Sequence, residues 1–268
     1  MQHLLLLTLL FPLSLTVYGQ TQKAAGSRKA IICLTYDDGL QSQLSTVLSQ
    51  LDSAGLKGTF FLNSIQGSSE VIGETSPAIA AWTNAAINGH ELANHTLFHA
   101  CPEKLGWQKA FAIESYTVDK MIAEIKTENA LLALLDPKRK RRAFAFPCNN
   151  FMIGGTDYTG IIKKQQLVSY GRAGGDRTAV IADFHHINTM KMPSWMVEEG
   201  TSLAELIDFA ERVKKAGGMG IYQFHGIGAE FFKISKETHR AFLDYLKAHP
   251  DDYWVATFSA AMDMVTSK

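Results

Sequence analysis

The sequence predicts an α/β fold, a closed or distorted (β/α)7–8 barrel forming one large domain. Three observations predict it. Short, continuously apolar runs alternate with longer helical patterns, as buried parallel strands alternate with covering helices. The 268 residues hold seven or eight such units, which suits closure better than an open doubly wound sheet. No Gly-rich phosphate-binding turn follows the first run, which argues against a nucleotide-binding sheet.

The elements follow in order. Leu4 to Tyr18 is apolar, broken at Pro12, and too short to span a bilayer. It reads as a signal peptide over residues 1–19, cleaved after Gly19, so that the protein is exported. Residues 20–28 form a short polar lead-in, and 29–268 form the domain. Strands are expected at 30–36, 58–63, 90–94, 143–147, 167–170, 189–195, 219–225 and 254–258. Helices are expected at 40–54, 76–88, 105–135, 202–216 and 235–248. The last opens with Ser235 three residues before Thr238 and stops short of Pro250.

Composition narrows the function classes. At 46% hydrophobic and 19% charged residues the chain is not disordered. Lys+Arg (26) balances Asp+Glu (26), so no basic excess exists to neutralise phosphates and no nucleic-acid partner is expected. No later stretch is apolar enough for stable membrane insertion. Three cysteines make no disulfide framework. Cys33, in the run Ile31-Ile32-Cys33-Leu34, reads as a buried small hydrophobe. One Cys101–Cys148 bridge is conceivable in an oxidising compartment, and the sequence alone leaves it open.

Polar residues gather at one end of the expected strands. Asp37 and Asp38 follow the first, His95 and His99 the third, Cys148 and Asn149 the fourth, and His225 closes the seventh. That carboxyl-end rim is where barrel enzymes carry their chemistry. Adjacent carboxylates in extended chain point apart, so one can hold a cation while the other accepts a proton. Taken alone, Asp-Asp-Gly is more often a turn or helix N-cap. Residues four apart share a face of a helical turn, so His95 and His99 are able to meet at one ion. The plain alternative is two surface or capping histidines. Two imidazoles plus a carboxylate, with positions left for water, form a metal site suited to hydrolysis.

The segments TYDDG, GTFF, GHELANHTLFH and QFHG, in that order, resemble the successive motifs of the polysaccharide deacetylases. These are the NodB-homology carbohydrate esterases, and the resemblance runs over most of residues 30–265. It implies the family's NodB-like distorted (β/α) barrel, with Asp37 as catalytic base, His225 as catalytic acid, and Asp38, His95 and His99 as metal ligands. The third motif departs from the common Phe-Arg-Pro-Pro-Tyr-Gly form. Ala145 stands where an arginine often pairs with the base, and Cys148 stands where tyrosine is usual. The tyrosine's contribution resembles a backbone N–H aimed at the oxyanion, which Cys148 is able to supply. Arg172 is the candidate replacement for the guanidinium, or else a solvated surface arginine. Arg141 and Arg142 read as part of a solvated connection.

Around this set, Asn94 and Glu91 are candidate supports for the ligands, with Glu91 alternatively paired to a cation. Trp195, Trp82 and Asn149 are candidate substrate contacts, the tryptophans alternatively core residues. His185 and His186, adjacent and therefore pointing apart, read as loop histidines. The implied activity is metal-dependent removal of acetyl groups from an N- or O-acetylated oligo- or polysaccharide. Zn²⁺ suits the ligands best, and Co²⁺, Ni²⁺ or Fe²⁺ also fit. The competing readings are a catalytically impaired glycan-binding protein on the same fold, and an amidase of the superfamily acting on a small C–N substrate.

Overall fold

The computed structural model describes residues 30–64 and 77–267. The expected signal peptide and lead-in lie outside the described residues. Strand β1 (Ala30–Asp37) leads through a π-helical turn (Gln43–Val47) into α1 (Leu48–Ala54), then β2 (Thr59–Leu62), α2 (Pro77–Ile87) and β3 (Glu91–Asn94). After three 3₁₀ turns come α3 (Val118–Leu135), β4 (Phe144–Ala145), a hairpin of β5 (Met152–Ile153) and β6 (Thr156–Asp157), and α4 (Thr159–Lys164). The rest comprises β7 (Gly171–Arg172), β8 (Val180–Ile181), β9 (Trp195–Met196), α5 (Leu203–Ala216), β10 (Met219–Phe224), α6 (Lys236–Ala248), β11 (Tyr253–Ala256) and α7 (Phe258–Thr266).

The parallel strands close into a ring. β10 pairs β1, β1 pairs β2, and the order continues through β3, β4 and β7. A parallel bridge from Arg172 to Met192 then hands over to β9, which pairs back onto β10. The distortion sits beside β1. Its whole length pairs β10 on one edge, while its first half pairs β11 and its last residues pair β2 on the other. The architecture is a distorted (β/α) barrel.

The two-residue period of β1 explains where its side chains go. Ile31 and Cys33 fill the barrel interior with Phe61, Ala93, Ala145 and Ile221. Ile32, Leu34 and Tyr36 face the helices, meeting Leu51, Phe209 and Phe242. Continuing the inward series past Cys33 and Thr35 brings Asp37 to the mouth of the barrel. The same alternation carries Ile221 to Gln223 and His225. At the other end α7 plugs the barrel, with the Phe258 ring 6.1 Å from Phe61 and its N–H donating to Thr59 Oγ1 at 2.8 Å.

Several sequence expectations are corrected. The helix expected at 105–135 begins only at Val118, where the Thr117 side chain accepts from Lys120 N–H. Gly106, at φ +91°, lies in the left-handed region and ends any helix there. The strand expected at 167–170 lies four residues on, at β7. There Gly171 passes so near Met190 O that a Cβ would sit 2.3 Å from it. Of the strand expected at 189–195, only its end is regular, as β9. Arg142 is buried rather than solvated, donating to Leu132 O at 3.0 Å and to Asp136 Oδ2 at 2.8 Å. Among the described residues, no helix is long and apolar enough to cross a membrane.

Candidate active site

The residues singled out at the strand ends line one cavity of about 760 Å³ at the mouth of the barrel. Asp37, Asp38, His95, His99, Cys148, Asn149 and His225 all border it. Beyond Asp37 the chain turns through two left-handed residues, Asp38 (φ +75°) and Gly39 (φ +62°). The Asp38 N–H donates to Phe61 O at 3.0 Å, and Gln43 Nε2 ties the Asp37 carbonyl (2.5 Å) to that of His225 (3.3 Å).

His95 and His99 meet, but not on a helical turn. They lie in a loop with Thr96 at φ +64° and His99 at φ +52°. Asn94 Oδ1 accepts from Thr96 N–H at 2.8 Å, and Thr96 Oγ1 from His99 N–H at 3.0 Å. These side-chain acceptors replace helical bonds and fold the loop so that both rings point inward. Asn94 thus supports the loop that carries both histidines. Glu91 does not. It sits at the opening residue of β3, far from the rim, where it accepts from Thr59 Oγ1 (3.0 Å) and Ser259 N–H (2.9 Å).

The donor atoms converge. His95 Nε2 and His99 Nε2 are 3.1 Å apart, and Asp38 Oδ1 lies 3.5 Å from the first and 3.3 Å from the second. Ligands held about 2.0–2.1 Å from one zinc ion at tetrahedral angles stand about 3.3 Å apart, so the spacing suits a single divalent cation. Burial favours the ligating forms of the rings, lowering His95 to about 3 and His99 to about 4. His95 Nδ1–H donates to Ala145 O at 2.9 Å, which leaves the Nε2 lone pair directed at the centre. Burial, opposed by His225 and reinforced by the Asp37 charge, pushes Asp38 up to about 7. A dication among these three donors would supply the positive charge that such a cluster of buried acceptors needs.

Arg172 is wholly buried and donates from Nη2 to Asp37 Oδ2 at 2.6 Å. It stands opposite Ala145 in the β4–β7 pair, so its guanidinium enters over the smallest side chain available there. Gln223 Nε2 donates to the same oxygen at 3.0 Å. Ser194 Oγ accepts from Arg172 Nη1 at 3.3 Å. Burial raises the Asp37 pKa, yet Arg172, with His95 and His225, holds it below the ordinary carboxylate range. Asp37 Oδ1 is buried without a hydrogen-bond partner among the described residues. His225 Nε2 lies 4.0 Å from Asp37 Oδ2 and from Asp38 Oδ2.

Cys148 is bonded to Cys101, while Cys33 is buried in the barrel. Trp195 is a core residue rather than a cavity contact, packed 5.2 Å from Phe209 and 5.6 Å from Tyr222. Trp82 likewise packs against Phe60, at 5.1 Å. His185 and His186 are exposed loop residues. The cavity walls come from residues the sequence did not mark: Trp107 and Phe111 on one side, Phe231 and Phe232 on the other. Phe111, Phe231 and Phe232 are exposed. Gln223 was findable, because it lies two residues before His225 on the same strand face. The rim aromatics sit in irregular loops with no periodicity to betray them.

Residues 24–152 match the family model for polysaccharide deacetylase. A Mycobacterium smegmatis protein ascribed to the polysaccharide deacetylases superposes with a TM-score of 0.64 at 13% identity, over 90% of this chain and 91% of that one. The Xyl-CE4 domain of a multidomain xylanase, from the hindgut metagenome of Trinervitermes trinervoides, gives 0.54 at 18% identity, covering 87% and 89%. The catalytic domain of a peptidoglycan N-acetylglucosamine deacetylase from Eubacterium rectale gives 0.53 at 15%, covering 85% and 89%. A search of curated proteins finds no match. In the motifs of residues 24–152 and in its fold, the chain is similar to the polysaccharide deacetylases.

Proposed function

We propose that the chain is a divalent-metal-dependent hydrolase that removes acetyl groups from an N- or O-acetylated carbohydrate. The observation that carries this reading is the triangle of His95 Nε2, His99 Nε2 and Asp38 Oδ1 beside a carboxylate anchored by Arg172. Zn²⁺ is the first choice for these donors, with Co²⁺, Ni²⁺ and Fe²⁺ as alternatives. When bound, the cation acidifies a water ligand and polarises the acetyl carbonyl.

The chain's own residues then act as follows. Asp37 accepts the proton of the attacking water. Arg172 and Gln223 both engage its Oδ2, so Oδ1 is left to receive it. The ion pair keeps the base ionised and fixes its plane. The backbone N–H of Cys148 donates to the developing oxyanion. His225 delivers a proton to the departing amine or alkoxide. The aromatic rim of Trp107, Phe231 and Phe232 offers flat faces for sugar rings. Export is supported by the Cys101–Cys148 disulfide, a bond that persists in oxidising compartments.

The catalytically impaired reading starts from Ala145, and the Arg172–Asp37 pair removes its main support. The test is acetate release from chitooligosaccharides, acetyl-xylan and poly-N-acetylglucosamine, with chelation and metal add-back. Release that chelation stops and metal restores is the expected result. Turnover insensitive to chelation overturns the metal, and a metal-loaded chain inert on every glycan overturns the hydrolase.

A further inference from the structure

The two loops that complete the site are joined covalently. Cys101 lies two residues after His99 in the ligand loop, and Cys148 is the turn residue whose N–H faces the reacting carbonyl in the proposed mechanism. Their Cα atoms are 5.7 Å apart across 47 residues of sequence, a span that includes all of α3. Both loops are held in conformations that side-chain-bearing residues seldom adopt. Thr96 (φ +64°) and His99 (φ +52°) are left-handed on one side, and Cys148 (φ +48°) and Asn149 (φ +54°) on the other. Such residues persist where their surroundings over-determine them.

The disulfide also touches the ligand ring. Cys101 Sγ lies 3.5 Å from His99 Nδ1, the nitrogen that does not face Asp38 and His95. His95 has the Ala145 carbonyl in the equivalent position, at 2.9 Å. Each ring is therefore braced on its far nitrogen, one by a backbone oxygen and the other by a disulfide sulfur.

We propose that the Cys101–Cys148 disulfide is a positioning element of the catalytic centre. It sets the His99 ring and the Cys148 N–H relative to one another, so that full metal affinity and turnover belong to the oxidised chain. Reduction by a dithiol transfers two electrons and two protons to the S–S bond, giving two thiols while the reductant closes to its own disulfide. The loops are then tied only by their own hydrogen bonds. This inference rests on the metal-hydrolase reading above.

Free thiols here would compete for the metal, because His99, Cys101 and Cys148 offer ligand atoms within 4.8 Å of one another. The test therefore replaces both cysteines by serine, and titrates Co²⁺ by its visible absorption into the oxidised chain and the double variant. Weakening of Co²⁺ binding by roughly 10–100-fold is expected, the range for residues that orient ligands. Deacetylation kcat should fall by roughly 100-fold, as for a displaced oxyanion donor, with KM within about threefold. A double variant that binds Co²⁺ and turns over like the parent overturns the positioning role while leaving the hydrolase intact. An oxidised parent that binds no Co²⁺ overturns the metal reading itself.

Should the double variant lose its cooperative melt, the parent is titrated before reduction, after reduction and capping of the thiols as methyl disulfides, and after uncapping and reoxidation. Affinity that falls and returns supports the proposal. Affinity that never changes overturns it.

Discussion

Arg172 on β7 reaches Asp37 from the position opposite Ala145 on β4, closing to 2.6 Å. Small side chain and long side chain face each other across one strand pair, so the guanidinium passes over Ala145 to Asp37. Arg172→Ala should lower kcat by roughly 100-fold, the scale of a misplaced catalytic group. It should also cost about 3–5 kcal/mol of stability, since a buried carboxylate is stranded. Urea denaturation and steady-state kinetics check both. Adding Asp37→Asn to an Arg172→Met background should recover much of the stability and none of the activity. Ala145→Arg in the Arg172→Ala background should return part of the lost kcat, and no return would show that the base depends on more than a nearby guanidinium.

The donor triangle makes a prediction about melting that needs no substrate. A cation bound only by the folded chain stabilises it by about 4 kcal/mol at a thousand times its Kd. For a domain of this size that is a rise in Tm of roughly 10 °C. Calorimetry should show this rise with Zn²⁺, its reversal by chelator, and its absence in His95→Ala. An equal rise in His95→Ala would place the cation elsewhere.

His225 Nε2 is separated from Asp37 Oδ2 by 4.0 Å, with its ring against those of Phe231 and Phe232. An amide leaving group requires a proton, while an activated aryl ester leaves nearly unaided. His225→Ala should therefore slow release from an N-acetyl substrate by roughly 100-fold or more, and from an aryl acetate by less than about tenfold. Equal losses on the two substrates would remove His225 as the acid.

The inward column of β1 and the end of β10 were legible because a strict two-residue period places Asp37 and His225 at the mouth of a barrel. The pairing of His95 with His99 was legible in spacing and wrong in mechanism. A loop held by Asn94 and Thr96 achieves what a helical turn was expected to do. Arg172 shows why hydropathy fails at such sites. By hydropathy alone a wholly buried arginine reads as surface; Arg172 was singled out because Ala145 leaves the guanidinium position empty, and its carboxylate partner lies 135 residues away. The 105–117 stretch failed for a related reason. Leu105, Trp107 and Phe111 are apolar but keep no helical period, and they line a cavity rather than a core.

His239 gives a pH dependence free of the metal question. It is wholly buried on α6, with Nδ1 2.6 Å from Gln50 Oε1 and Nε2 2.8 Å from Tyr36 Oη. The Gln50 oxygen only accepts, so Nδ1 carries the proton, Nε2 accepts from the Tyr36 hydroxyl, and the ring is neutral. Burial lowers its pKa from 6.5 to about 3. The folded-state value is the depressed one, so above about pH 6.5 the group has no effect. As pH falls below that value the unfolded chain takes up a proton that the native chain refuses, and stability drops by about 1.4 kcal/mol per unit until pH 3. Glu128, pushed up to about 8 by burial against the donors of Ser64, acts in the opposite sense, its contribution fading as pH rises. The two are separated by comparing parent with His239→Gln, in which only the first dependence is removed. Between pH 7 and pH 4 the parent should lose about 3 kcal/mol relative to the variant in urea denaturation. Parallel stability curves for the two proteins would mean that His239 is protonated in the native core.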